Sequence, residues 1–191
     1  MNDKEIIELA VNLHGHLAPG LALGLRMSEI ALERLAVERG HKRIMGISET
    51  ARCLADAMQA ATGCTVGHGN AFVEDYGKLA LTISNTETNN GIRVALKQDA
   101  QDLSPLMKTW MMRLGRLSHE QEDELGAELL VMDEKYLDIQ EVLVDMGQNF
   151  ESTRIVECFE CKDLVPSGLT GMIDDKVVCK VCSGQGYCRA I

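Results

Sequence analysis

The chain closes with Cys158-x-x-Cys161 and Cys179-x-x-Cys182, two tight cysteine pairs separated by seventeen residues. No other feature limits the fold as much. Each pair forms a knuckle that aims two sulfurs at one point, and the spacing is that of a four-thiolate zinc site. So short a segment has too little core of its own, and a bound ion supplies the missing folding free energy. Gly168, Gly171 and the Asp174-Asp175 pair suit a hairpin between the knuckles. The expectation is a small zinc ribbon or treble-clef-like domain over residues 154–191, with those four cysteines holding a structural zinc. Four buried or redox-active thiols are the competing reading. Cys188 is left over as a free thiol.

Seven cysteines without a basic, apolar leader point to reduced thiols and a cytoplasmic protein. The most apolar run, Leu17 to Leu25, is interrupted by Pro19, Gly20 and Gly24, so no membrane span is expected. A net charge of −10 and a pI near 5.0 disfavour a general nucleic-acid binder or docking on anionic lipid. From Arg154 onward the basic and acidic residues balance at five each. The C-terminal module therefore suits a protein partner better than nucleic acid, with Leu164, Val165 and Leu169 as candidate contacts.

Residues 1–150 read as an α+β domain, N-terminal helices packed on a mainly antiparallel sheet. Ile6, Leu9, Ala10 and Leu13 recur at helical spacing over residues 2–13, with Asn2 as cap. Pro19 fits the first turn of a helix reaching about Arg39 and stopped by Gly40, its buried face Leu23, Met27, Ile30 and Leu35. Gly24 inside it marks close helix approach. A strand over 44–48 precedes a helix over 49–62 that Gly63 ends, with Ala51 among its inward residues. Residues 71–74 form another strand. Leu79, Leu81, Ile83 and Ile92, Val94, Leu96 form two alternating runs around an Asn89-Asn90-Gly91 turn. Helices follow over 104–116, with Leu114 inward, and from Ser118, where Ser118-x-x-Gln121 is a capping-box pattern. A last strand runs over 136–145, and residues 147–155 form a polar link.

The chemistry concentrates in Cys53 to Asn70, C-L-A-D-A-M-Q-A-A-T-G-C-T-V-G-H-G-N, and in His14-Gly15-His16. Cys53, Asp56 and Gln59 at i, i+3, i+6 line one helix face. A cysteine opening a helix gains from its positive end, which lowers the thiol pKa. His14 and His16, two apart, can turn the same way and join Cys53 on a metal, or one can serve as an acid–base group. The plainer readings are a core cysteine, a histidine at a helix C-terminus, and a loop shaped by its glycines. His68 is the weakest candidate. His41 and His119 read as surface residues.

The motifs H-G-H-L-A-P-G at 14–20 and the run at 53–70 resemble the FmdE family of formylmethanofuran dehydrogenase proteins, and the C-terminal cysteine module resembles the zinc finger of many members. The resemblance implies homodimerisation and a cleft whose metal is held by His14, His16 and Cys53, lined by Asp56, Gln59, Cys64 and Asn70. Catalytic candidates would be Cys53, His16 and Asp56. The parent enzyme interconverts carbon dioxide and a formyl group on methanofuran at a molybdenum or tungsten pterin. No obvious place for such a cofactor or an iron–sulfur cluster stands out here. The resemblance thus implies an accessory or stand-alone metal-binding relative linked to one-carbon or molybdenum/tungsten metabolism. An independent metalloenzyme and a ligand-sensing regulator are the alternatives.

Overall fold

The computed structural model describes residues 3–146 and 154–187. Two compact units divide the chain, Met1–Asp145 and Met146–Ile191. The Asn2 cap, most of the polar link and Cys188 lie outside the described residues.

The first unit is α+β. Its elements are α1 (Asp3–His14), α2 (Pro19–Leu35), β1 (Ile44–Ser48), α3 (Cys53–Thr62), β2 (Ala71–Val73), β3 (Ala80–Asn85), β4 (Asn90–Leu96), α4 (Pro105–Met112), α5 (His119–Leu130) and β5 (Leu137–Leu143). The sheet order is β2-β1-β3-β4-β5, antiparallel except for the parallel β1–β2 pair that α3 connects.

Helix α2 is the hub. Every residue from Pro19 to Leu25 is buried, so its first half is enclosed all round. Leu23, Met27 and Ile30 pack with Leu54 and Met58 of α3, Leu81 and Ile83 of β3, Ile92 and Val94 of β4, and Leu125 and Leu129 of α5. On its other side Leu21 and Leu25 meet Ala10 of α1 and Ala57, Ala60 and Ala61 of α3. Gly24 makes that approach feasible. A Cβ there would lie 2.6 Å from the Ala57 Cβ and 3.1 Å from the Leu54 Cα.

Several sequence expectations shift once the chain is packed. The second helix stops at Leu35, not near Arg39, because Ala36 takes the left-handed conformation (φ 53°) and its N–H bonds the Glu33 and Leu32 carbonyls. On α1, Leu9 and Leu13 are exposed, while Ile6, Ile7, Ala10 and Val11 face α2 and α3. Helix α3 starts at Cys53, not 49. Residues 49–52 instead form a turn in which Ser48 Oγ donates to the Thr50 carbonyl (2.8 Å) and Glu49 pairs with Arg93. Ala51 is accordingly exposed. In the hairpin the left-handed position falls on Asn89 (φ 60°), while Gly91 is already paired with Ser84. Helix α4 ends at Met112, where Arg113 (φ 51°) turns the chain and leaves Leu114 exposed.

The capping box forms as its pattern predicts. Ser118 accepts from the Gln121 N–H while the Gln121 side chain accepts from the Ser118 N–H. Ser104 caps α4 and also donates to Glu128 of α5 (2.6 Å), joining the two helices.

The second unit holds two hairpins, β6 (Ile155–Glu157) with β7 (Leu164–Pro166), and β8 (Thr170–Ile173) with β9 (Lys176–Cys179). A helical turn, Val181–Gln185, follows. Asp174 and Asp175, both at positive φ, make the tight β8–β9 turn. Cys158, Val178 and Cys179 form a small core, with Val165 and Cys182 packed on it.

Two outcomes follow. Gly24→Ala should overpack the α2–α3 contact and cost about 1–3 kcal/mol, read as a lowered urea midpoint. Glu49, only 9 % exposed in its side chain, receives two Arg93 bonds of 2.5 and 2.9 Å. Those bonds hold its carboxyl below the ordinary 4.5 despite its burial. Its stabilisation is therefore fully present above that value and is lost as pH falls through the depressed folded pKa. Glu49→Gln should cost roughly 3 kcal/mol at neutral pH, and denaturation curves of mutant and wild type should converge in acid.

Candidate functional site

The C-terminal cysteines sit as their spacing predicts. One sulfur from each of Cys158, Cys161, Cys179 and Cys182 lies within 4.8 Å of all the others. The knuckles are built from backbone donors: the Cys179 N–H points to Cys158 Sγ (3.3 Å) and the Cys182 N–H to Cys179 Sγ (3.4 Å). Backbone N–H groups of Cys161 and Cys179 bring the Cys158 thiol down to about 6. Hydrogen bonding to Cys179, with burial, pushes Cys182 up. Four thiols this close do not all ionise alone, whereas a divalent cation favours all four thiolates at once. The group can therefore bind a metal ion such as zinc.

The N-terminal candidates divide into two places, because α3 separates them. Cys53 is its first residue and Cys64 follows its last turn, and ten helical residues span about 15 Å.

At the N-terminal end, His14 closes α1 and its Nδ1 donates to Asp56 Oδ2 at 2.8 Å. That histidine is 17 % exposed in its side chain. Gly15 (φ 104°), whose N–H bonds the Val11 carbonyl, reverses the chain so that the His16 ring lies 5.5 Å from the His14 ring, centroid to centroid. Gly20, one turn before Gly24 on α2, leaves the room that Cys53 occupies; a Cβ at residue 20 would stand 3.2 Å from Cys53 Sγ. The helix start does not lower this thiol as expected. Burial pushes it up, and the nearby charges of Asp56 and Glu122 add to the rise against the backbone hydrogen bond that lowers it.

At the other end, Cys64 and Asn70, expected to line a cleft, fasten the loop. Cys64 is buried in the main core and points its Sγ at the Ile44 carbonyl (3.6 Å). Asn70 accepts from the Thr65 N–H (2.9 Å) and donates to Ile44 O (3.3 Å). His68 is exposed and bonds Thr65 Oγ1. Gln59 donates to Ala55 O within its own helix (3.4 Å). None of these bonds reaches His14, His16 or Cys53.

Glu122 of α5 joins the first cluster and is missed by sequence reasoning. Its Oε2 lies 3.7 Å from His16 Nε2 and 3.8 Å from His119 Nδ1. His119, read as a surface residue, is 94 % exposed in its side chain and meets the His16 ring edge-on. The capping box fixes where α5 starts, but nothing in the sequence tells that its first turn faces residue 16.

Two imidazoles, a thiol and two carboxylates suit a borderline divalent cation. Among the described residues, however, only the four C-terminal cysteines bring ligand atoms together as closely as a closed site needs. The N-terminal group has the donor set of an open site without that closure.

Fold and sites together define the class: an α+β domain with a histidine–cysteine–carboxylate cluster, carried in one chain with a four-cysteine module able to bind a metal. Residues 13–145 match the family model described as FmdE, Molybdenum formylmethanofuran dehydrogenase operon. The chain belongs to this FmdE family. The crystal structure of a tungsten formylmethanofuran dehydrogenase FmdE-like protein from Syntrophus aciditrophicus matches with a TM-score of 0.75 at 25 % identity, covering 97 % of this chain and 94 % of that one. A curated relative from Archaeoglobus fulgidus, a probable S-adenosyl-L-methionine-binding protein, is 33 % identical over 196 positions, taking in 93 % of this chain and 52 % of that protein. The chain spans about half the length of that relative. No helix among the described residues is long and apolar enough to cross a membrane.

Chelation should separate the two units. A strong chelator should free the thiols of Cys158, Cys161, Cys179 and Cys182 and raise amide exchange across 154–187. Trp110 fluorescence, which reports on the first unit, should stay unchanged. Exchange in 154–187 that is indifferent to chelation would argue against a metal-dependent module.

Proposed function

We propose that this chain is a metal-binding accessory or stand-alone member of the FmdE family, serving one-carbon or molybdenum/tungsten enzyme metabolism. His14, His16 and Cys53 hold a metal ion, and their donor set accepts zinc along with other borderline cations. The observation that carries this reading is the His14–Asp56 bond: a carboxylate occupies Nδ1 and leaves Nε2 to ligate, the usual arrangement around a metal-bound histidine. A cation in an open site supplies Lewis acidity or an acidified water. In that setting Asp56, beside the ligands, keeps His14 oriented and can accept a proton. The four-cysteine module is structural and docks a protein partner, with the exposed Leu164 and Leu169 as contacts; Val165 is taken up by the module's own core. The protein works as a cytoplasmic homodimer.

A second reading, ligand sensing, draws on the Archaeoglobus fulgidus relative's description and on a groove of about 1010 Å³ between α1, α2 and α5. It is lined by apolar side chains (Ile6, Leu25, Leu32, Leu130) together with charged ones (Arg26, Glu29). That volume is at the upper end for small-molecule pockets. Equilibrium dialysis with S-adenosyl-L-methionine tests it directly.

Metal analysis of purified protein decides the first reading. Two metals per chain are expected, one of them lost in Cys53→Ser with the fold retained. Metal confined to the four C-terminal cysteines would sink it.

A further inference from the structure

The His14–Gly15–His16 turn is gripped from two sides, and only one grip comes from the motif residues. On one side Asp56 of α3 holds His14. On the other, α5 is shaped to receive the turn. Glu122 and Gly126, four apart, share one face of that helix. A Cβ at Gly126 would lie 3.2 and 3.3 Å from the Leu17 Cγ and Cδ2 and 3.4 Å from the Leu17 carbonyl. The missing side chain therefore lets residue 17 lie directly on α5, which sets residue 16 beside Glu122, one turn away. The Glu122 carboxylate, 28 % exposed, then stands 3.7 Å from His16 Nε2. This is ion-pair range, longer than a direct hydrogen bond.

We propose that Glu122 is the positioning carboxylate for His16, the counterpart of Asp56 for His14. The proposal rests on the metal reading of His14, His16 and Cys53. The two histidines present opposite nitrogens to their carboxylates, Nδ1 on His14 and Nε2 on His16. A metal in the cluster is therefore met by Nε2 of His14 and Nδ1 of His16. Asp56 holds the His14 ring by a direct hydrogen bond, and Glu122 faces His16 Nε2 at ion-pair range; a carboxylate beside that nitrogen orients the ring and makes it a better donor. His119 reaches the same Glu122 oxygen from solvent and is not a ligand.

A plainer role for Glu122 is a favourable charge in the first turn of α5, a place it shares with Glu120. Glu120→Ala removes that kind of charge without touching His16, so it separates the two.

The test uses the full chain with its C-terminal site filled by one equivalent of zinc, titrated with cobalt(II). Wild type should take up one further cobalt with a thiolate-to-metal absorption band that Cys53→Ser abolishes. Glu122→Ala should bind that cobalt about 10- to 100-fold more weakly, with shifted d–d bands and a melting temperature lowered no further than in Glu120→Ala. Glu120→Ala and His119→Ala should match wild type. Wild-type affinity and spectrum in Glu122→Ala, or an equal loss in Glu120→Ala or His119→Ala, would overturn the role given to Glu122 while leaving the metal reading standing. No second cobalt in wild type would overturn both.

Discussion

The close contact between α2 and α3 is the constraint on which the first unit depends. Gly20 and Gly24 lie one helical turn apart on α2, and Cys53 and Ala57 lie one turn apart on α3. The two pairs face each other, with no side chains on α2 to hold the helices apart. Backbones that approach this closely maximise dispersion contact over a small area. They also fix the height at which α3 begins. Cys53 thus sits at the end of a packed interface, and its thiol is half-buried for the same reason that the core is tight. The chemistry of that thiol follows from packing: desolvation outweighs the favourable helix start.

Around this interface, polar groups act mainly as fasteners. Glu49 and Arg93 tie the turn before α3 to β4. Asn70 and Cys64 tie the glycine-rich loop to the start of β1. Ser104 and Glu128 join α4 to α5. The cluster at His14, His16, Cys53, Asp56 and Glu122 differs in kind. It gathers titratable groups from α1, α3, α5 and the turn after α1 at a partly exposed place, with Cys53 alone packed against the core. That concentration is what makes the cluster the candidate site of this unit.

The second unit solves its folding problem by different means. Its core is Cys158, Val178 and Cys179 with two partly buried neighbours, too little apolar surface to order a segment of this length. Its four convergent sulfurs can bind a metal ion, and a bound ion supplies folding free energy that a core would otherwise provide. Much of its remaining apolar surface, Leu164, Leu169 and Met172 among it, faces solvent.

How much was legible in the sequence depended on the range over which each signal acts. The C-x-x-C pairs, the Ser118–Gln121 box, and the alternation around Ile83 and Ile92 are local. Their physics is complete within a few residues, and the structure repeats them. Element ends drifted where a distant partner intervened, as when Glu49 left the expected helix for Arg93. The motif residues at 53–70 looked like one cluster because they are close in sequence, but a ten-residue helix pushes its two ends apart. Cys64 and Asn70 went to the core and the loop. Glu122 came in from about seventy residues beyond Cys53, a separation no local pattern can bridge. The sequence by itself determined the main elements, the four-cysteine module and the set of candidate ligand residues. Only the tertiary structure decided which of them meet, because the glycine contacts of α2 with α3 and of α5 with Leu17 place their side chains in space.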